Sequence, residues 1–208
     1  MEVDILGADG GSMLHFLPSS FLIDKTIAID AGAICSSLKL KQLSAIDHIF
    51  ISHTHLDHIR DLGLLADIVF GQREQPIQVY GTVAVIEALT CHYFNNTIWP
   101  DFTRIPTPDS PIMSLNIIES LTPLRLGEYE ITPVPMTHSI DTYGFLVTKD
   151  GKSLLYSSDT HSTDLFWEYA NKTESLSGMI LDVAFPNRLQ NIADLSLHLT
   201  PQSVTKEL

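Results

Sequence analysis

The run His53-Thr54-His55-Leu56-Asp57-His58 constrains this chain more than any other stretch, because it packs four metal-competent side chains into six residues. It follows directly on the apolar run Ile49-Phe50-Ile51, so a short buried strand delivers it. In extended backbone, residues two apart point the same way, which places His53 and His55 to grip one ion together. Asp57 and His58 sit where the chain turns into the apolar-periodic stretch Ile59 to Phe70, and that change of direction aims them at a second ion. Imidazole and carboxylate are ligands for zinc and its divalent neighbours. Histidines can also decorate a helix N-terminus without binding anything, but three with an aspartate at this density argue against it.

At 208 residues and 44% hydrophobic content, residues 1–208 read as a single folded domain with a sizeable core. No apolar run reaches the roughly eighteen residues that span a bilayer, which argues against a membrane role. The N-terminus carries Glu2 and Asp4 and lacks the basic region of a secretory signal. Cys35 and Cys91 form no metal-like pair and are too few for a disulfide framework, so a reducing cytoplasm is the expected setting. The formal charge of −13 argues against a long polyanion, since the 12 Lys and Arg are scattered and only Lys39 and Lys41 lie close together. Bound divalent cations would reverse the sign locally and admit a small anionic ester. Composition therefore favours a small phosphoester over a nucleic acid and leaves a homodimer open.

Strands are expected at Phe21–Asp24 and Thr26–Asp30 around a turn at Lys25, then at Ile49–Ser52 and Ile77–Tyr80. Val83 to Tyr93 has helical character, and Asn95 to Pro111 reads as a long irregular insertion, a candidate wall for a substrate pocket. Further strands are expected at 115–120, 129–134, 144–148, 153–157 and 179–183, with helices over 163–171 and from about Thr200. Asp150-Gly151 suits a tight hairpin turn, because both residues tolerate positive φ.

The motif His53-x-His55-x-Asp57-His58 behind its strand resembles the signature of the metallo-β-lactamase superfamily of metal hydrolases. With Gly63-Leu64 downstream, it is similar to one branch, the class II cyclic-nucleotide phosphodiesterases. The resemblance runs from Leu6-Gly7-Ala8-Asp9-Gly10-Gly11 to His198-Leu199-Thr200-Pro201. It implies an α/β fold, an αββα sandwich with metals at one edge of its two sheets, and two divalent ions, zinc foremost with manganese or iron as alternatives.

The resemblance also implies roles for other residues. His138, after Val134-Pro135-Met136-Thr137, stands for the next metal histidine, and Asp159 for the carboxylate shared by both ions. On the residues alone, His138 could be structural, and Asp159 could cap the helix beginning near Thr163. Asp30 corresponds to the aspartate that accepts a hydrogen bond from a metal histidine, although a turn residue before Gly32 would look the same. His198 falls on a histidine motif used for phosphate contact or leaving-group protonation, with Asp182 as the acid that orients it. Arg188 and His161 are candidate substrate contacts, as is His15 beside the glycine-rich start; a surface arginine is the plainer reading of Arg188. His48 reads as a packed or surface residue.

The superfamily carries one further metal histidine after the helix near Thr200, and no His, Asp or Cys follows His198 here. A chain truncated at its C-terminus is the favoured expectation. Its consequence is a first ion, on His53, His55 and His138, held better than a second on Asp57 and His58. The expected function is hydrolysis of cyclic AMP or cyclic GMP to a 5′-nucleotide, with His198 or protonated Asp57 giving a proton to the leaving oxygen. The rivals are a transfer-RNA 3′-processing nuclease, a thioester or lactam hydrolase on the same metals, and a metal-binding homologue without turnover.

Overall fold

Short, mainly apolar runs build the centre of the first sheet: Ser20–Ile23 and Ile27–Ile29 are buried along their whole length. Strands covered on both faces read as continuous hydrophobic runs rather than alternating ones. The computed structural model describes residues 1–11 and 13–208, which form two compact units, Glu2–Ile117 and Ile118–Leu208 with Met1.

The first unit runs β1 (Val3–Gly7), β2 (Ser20–Ile23), β3 (Ile27–Ile29), α1 (Ile34–Ser37), α2 (Leu40–Leu43), β4 (His48–Phe50), α3 (Leu56–Ile59), α4 (Asp61–Val69), β5 (Ile77–Gly81), α5 (Val83–Ala88), β6 (Pro106–Thr107), β7 (Ser110–Pro111) and β8 (Met113–Ile117). Its six-stranded sheet has the order β1-β2-β3-β4-β5-β8. β1 to β3 are antiparallel neighbours, whereas β3, β4, β5 and β8 pair in parallel. Parallel neighbours need long crossovers, and the helices α1 to α5 lie in them. Leu22, Ile49, Val79, Leu62, Leu65 and Leu89 meet in one core cluster. Burying each such side chain contributes about 2 kcal/mol.

The turn expected at Lys25 is present, with Asp24 and Lys25 both at positive φ. The apolar-periodic stretch Ile59 to Phe70 forms α4 over Asp61–Val69, and α3 precedes it and ends at Ile59. The helix from Val83 continues through a wider-wound π turn at Leu89–Tyr93. The insertion after Asn95 holds the small β6–β7 hairpin and a cis Ile105–Pro106 bond. Trp99 and Ile105 anchor it against the core, with the Trp99 indole so close over Gly63 that a Cβ there would lie 2.6 Å from the ring.

The second unit runs β9 (Leu124–Leu126), β10 (Tyr129–Met136), β11 (Thr142–Lys149), β12 (Lys152–Tyr156), α6 (Asp164–Lys172), β13 (Leu176–Ile180), α7 (Gln190–Ser196) and α8 (Pro201–Glu207). Its sheet has the order β13-β12-β11-β10-β9, antiparallel except for the β12–β13 pair, which α6 connects. Asp150 and Gly151 turn the β11–β12 hairpin with φ of +50° and +67°. Val134, Met136, Leu155 and Phe166 form a core between this sheet and α6. Thr200 caps α8 by accepting from the Ser203 amide. The sequence reading omits α7, because only Ala193 in it is buried and no apolar periodicity marks it.

Among the described residues, no helix is long and apolar enough to cross a membrane.

Candidate metal centre

Strand ends place most of the candidate side chains, because a strand's last residues leave the ladder at a sheet rim. In the first unit β4 ends at Phe50, Ile51 still donates to the Tyr80 carbonyl, and the chain then turns through Ser52 to His55 into α3. Asp30, at the end of β3, is fully buried beneath this loop. Its Oδ1 accepts from the Ser52 amide at 2.8 Å, and its Oδ2 lies 2.8 Å from both Ser52 Oγ and His58 Nδ1. His53 Nδ1 is 3.0 Å from Ser52 Oγ.

The other ring nitrogens turn toward one another or toward a carboxylate. His53 Nε2 is 3.0 Å from His55 Nδ1, and His58 Nε2 is 3.9 Å from Asp57 Oδ2. The backbone fixes this loop to the turn after Asp30: Ala31 donates to the His58 carbonyl at 2.7 Å and Asp61 to the Ala31 carbonyl at 2.8 Å. Gly32 completes the contact, since a Cβ on it would lie 1.9 Å from the Asp57 carbonyl oxygen.

In the second unit, His138 follows β10, Asp159 follows β12 and Asp182 follows β13, each at the C-terminal end of its strand. His138 Nδ1 donates to the Leu197 carbonyl at 3.2 Å, which leaves Nε2 pointing at Asp159, 3.8 Å from Oδ2. His198 Nδ1 lies 2.8 Å from Asp182 Oδ2, and its Nε2 is 4.0 Å from the same Asp159 oxygen. The His138 and His198 rings meet edge to face at 4.9 Å. Asp159, Asp182 and His198 each offer a ligand atom within 4.8 Å of the others.

These residues fit divalent metal ions on two counts. Two ligand atoms about 2.1 Å from a tetrahedral zinc lie about 3.4 Å apart. The separations of 3.0, 3.8 and 3.9 Å bracket that value, and the longer two exceed a direct hydrogen bond. Second, His53, His58 and His138 all use Nδ1 toward a fixed hydroxyl, carboxylate or carbonyl. Metal-binding histidines are held in this way, with the remaining nitrogen free to coordinate.

Backbone strain coincides with the same positions. Asp30, Ser158 and Leu197 adopt left-handed φ of +57°, +58° and +57°. Each is a site residue or immediately precedes one, and the conformation costs a non-glycine residue about 1 kcal/mol or more.

The structure thus brings Asp30, His53, His55, Asp57 and His58 together in the first unit, and His138, Asp159, Asp182 and His198 in the second. Thr163, not Asp159, occupies the cap position of α6. His161 turns to α7, with Nε2 3.4 Å from Asp194 Oδ1, while its amide donates to the Thr137 carbonyl. Arg188 stands exposed on the single turn Asn187–Leu189, without a hydrogen bond to these groups among the described residues. His15 is exposed at a loop tip with φ of +70°. His48 packs on Tyr80, and burial lowers its pKa.

Sequence reasoning missed Ser52 and the Leu197 carbonyl. Ser52 borders the motif and was legible as the last polar residue before it. A backbone acceptor leaves no trace in residue identity.

The chain matches the family described as the beta-lactamase superfamily domain over residues 25–206. It is 28% identical to a probable 3′,5′-cyclic-nucleotide phosphodiesterase of Yersinia pestis across 98% of this chain, and spans 62% of that relative's length. Among solved structures it is similar to unliganded yeast PDE1, with a TM-score of 0.82 at 19% identity, covering 99% of this chain and 80% of that one. It is also similar to the short form of human tRNase Z, with a TM-score of 0.73 at 18% identity, covering 99% and 87% of the two chains. At these identities the structural likeness establishes the metallo-β-lactamase fold alone.

Proposed function

This chain belongs to the beta-lactamase superfamily, and from that premise we propose that it is a metal-dependent phosphodiesterase that opens cyclic nucleotides to 5′-nucleotides. The observation that carries the reading is the shared anchoring of His53, His58 and His138 through Nδ1, which prepares their Nε2 atoms for metal. The likeness to a relative named as a cyclic-nucleotide phosphodiesterase across nearly the whole chain supports the choice of substrate.

His53 Nε2, His55 Nδ1, Asp57 and His58 Nε2 would be the metal ligands of the first unit, and His138 Nε2 and the carboxylate of Asp159 those of the second. When bound, divalent ions supply Lewis acidity, an activated water and charge neutralisation at phosphate. The protein's own part is orientation and proton transfer. Asp182 holds the His198 ring by Nδ1, so that a protonated Nε2 is presented to the departing 3′ oxygen. The ring edge of His138 and the Phe185 ring, with centroids 4.9 and 5.6 Å from that of His198, limit its rotation. Asp30 keeps His58 in one tautomer.

The test is hydrolysis of cyclic AMP, bis(p-nitrophenyl) phosphate and a transfer-RNA precursor with added Mn²⁺ or Zn²⁺. Turnover of cyclic AMP that a chelator abolishes and metal restores is the expected result. Cleavage of the RNA alone would establish the nuclease reading, which the human tRNase Z likeness keeps in view and the charge of −13 opposes. Tight metal binding without turnover of any of the three would refute both.

A further inference from the structure

His198 sits at a corner of the chain, and a residue at the far end of the preceding helix closes that corner. α7 ends where the Leu197 and His198 amides both donate to the Ala193 carbonyl, and Leu197 turns the backbone with φ of +57°. The Leu197 carbonyl then meets His138 Nδ1 at 3.2 Å. From His198 the chain enters α8 through Leu199 and Thr200, which are 2% and 0% exposed.

Gln190, the first residue of α7, lies half-buried against the start of α8 with both ends of its side-chain amide engaged. Its Nε2 donates to Asp194 Oδ1 at 2.7 Å and to Ser203 Oγ at 3.0 Å. Its Oε1 accepts from Thr200 Oγ1 at 2.6 Å and lies 3.2 Å from Ser203 Oγ. The partners fix which end faces which. A carboxylate only accepts, so the atom beside Asp194 is the amide nitrogen. Thr200 Oγ1 accepts from the Ser203 amide at 3.2 Å and gives its proton to Oε1 at 2.6 Å, a closer approach than its 3.1 Å to Ser203 Oγ. A donor and an acceptor on one neutral group are therefore both in use. Methionine has the same reach and neither function, and glutamate would set a second carboxylate against Asp194. Asn187 also ties α8, by accepting from the Gln202 amide at 2.8 Å, but from an exposed position where water competes.

We propose that Gln190 is a positioning residue, which clamps Thr200 to the start of α7 and so holds the Leu197–His198 corner and the ring it carries. A left-handed backbone at an ordinary leucine persists only where the surroundings over-determine it, and the clamp supplies that constraint. Without it the α7–α8 junction loosens, and the His198 ring loses the fixed direction in which it is presented. A misplacement of about 1 Å at a reacting group costs up to about 100-fold in rate. The consequence for rate rests on the phosphodiesterase reading above; the clamp itself does not.

The experiment compares wild type, Q190M, H198A and the double variant Q190M/H198A as full chains. Hydrolysis of cyclic AMP and bis(p-nitrophenyl) phosphate is measured with saturating Mn²⁺, so that weaker metal binding does not enter the rate. Q190M is expected to lower kcat about 10- to 100-fold with KM within about 3-fold of wild type. On the H198A background the same substitution should change the rate less than about 2-fold, because the ring through which it acts is gone. An equal loss in both backgrounds marks a general structural effect and overturns the proposal, as does an unchanged kcat in Q190M. Amide hydrogen exchange is the second readout. Exchange at Leu197 and His198 should quicken about 10-fold or more in Q190M, while strands β10 and β12 keep their wild-type rates. If wild type hydrolyses neither ester, the phosphodiesterase reading fails, and unchanged exchange at Leu197 and His198 in Q190M still overturns the clamp. If Q190M does not fold, D194A replaces it, since it releases the Nε2 end from an exposed position. It should show the same pattern at about 3- to 10-fold, and unchanged kcat and exchange there overturn the proposal.

Discussion

Replacing Gly32 with alanine tests whether the turn after Asp30 sets the position of the proposed metal loop, His53 to His58. The added Cβ would lie 1.9 Å from the Asp57 carbonyl oxygen, 2.7 Å from Pro18 Cβ and 2.9 Å from the Ser19 carbonyl oxygen. A real Cβ comes no closer than 3.0 Å, so turn and loop must part by at least about 1.1 Å (3.0 less 1.9). The neighbours at fault are largely backbone, and the Ala31 and Asp61 amide bonds tie the two segments together on either side. Metal–ligand distances tolerate roughly 0.2 Å. A displacement about five times larger removes Asp57 as an effective ligand and disturbs His58. Overpacking of this kind costs about 2–3 kcal/mol. With a urea dependence of about 2 kcal/mol per molar, the unfolding midpoint of metal-free G32A should fall by about 1 M or more. Zinc stoichiometry or affinity should fall with it. A variant with wild-type midpoint and wild-type zinc binding would refute the view that this contact positions the loop.

Four further outcomes follow from the same geometry. H198A should lower kcat on cyclic AMP by about 10²- to 10⁴-fold while leaving zinc content unchanged, read by turnover and metal analysis. D182N should lose part of the same rate, with a smaller effect on KM, since Asp182 acts through the His198 ring. Native thiol labelling should modify exposed Cys91 and spare Cys35, whose thiol burial and then Asp61 push up to about 12; rapid modification of Cys35 would contradict this. Burial lowers the pKa of His48 below 6.5, so the folded state resists its protonation more than the unfolded state does. Its contribution to stability is then full above about pH 6.5 and is lost as pH falls through the depressed value. Urea midpoints from pH 7.5 to 5 should decline less steeply in H48Q than in wild type.

The sequence disclosed most where chemistry and periodicity coincide. The 53–58 loop was legible because four metal-competent side chains in six residues have few other uses. His138 and Asp159 were legible only as strand ends within a family pattern; singly, each has a structural alternative. The β2–β3 and β11–β12 hairpins were readable from turn chemistry at Lys25 and Asp150-Gly151. α7 was not, since an almost fully exposed helix imposes no apolar period. The division into α3 and α4 was also hidden, because Arg60 between them keeps helical φ and ψ. The anchoring of His138 by Leu197 was beyond sequence reasoning, depending on a left-handed φ at an ordinary leucine.

Asp150-Gly151 has a use that its ordinary turn geometry conceals. β12 runs from Lys152 at this tip to Tyr156, and only then does the chain reach Asp159, while β11 runs from Thr142, near His138, back to the tip. Five residues of strand span about 16 Å, which separates the tip from the end of the sheet that carries the proposed site. A spectroscopic label or an immobilising tether grafted between Asp150 and Gly151 would thus stand clear of the proposed site.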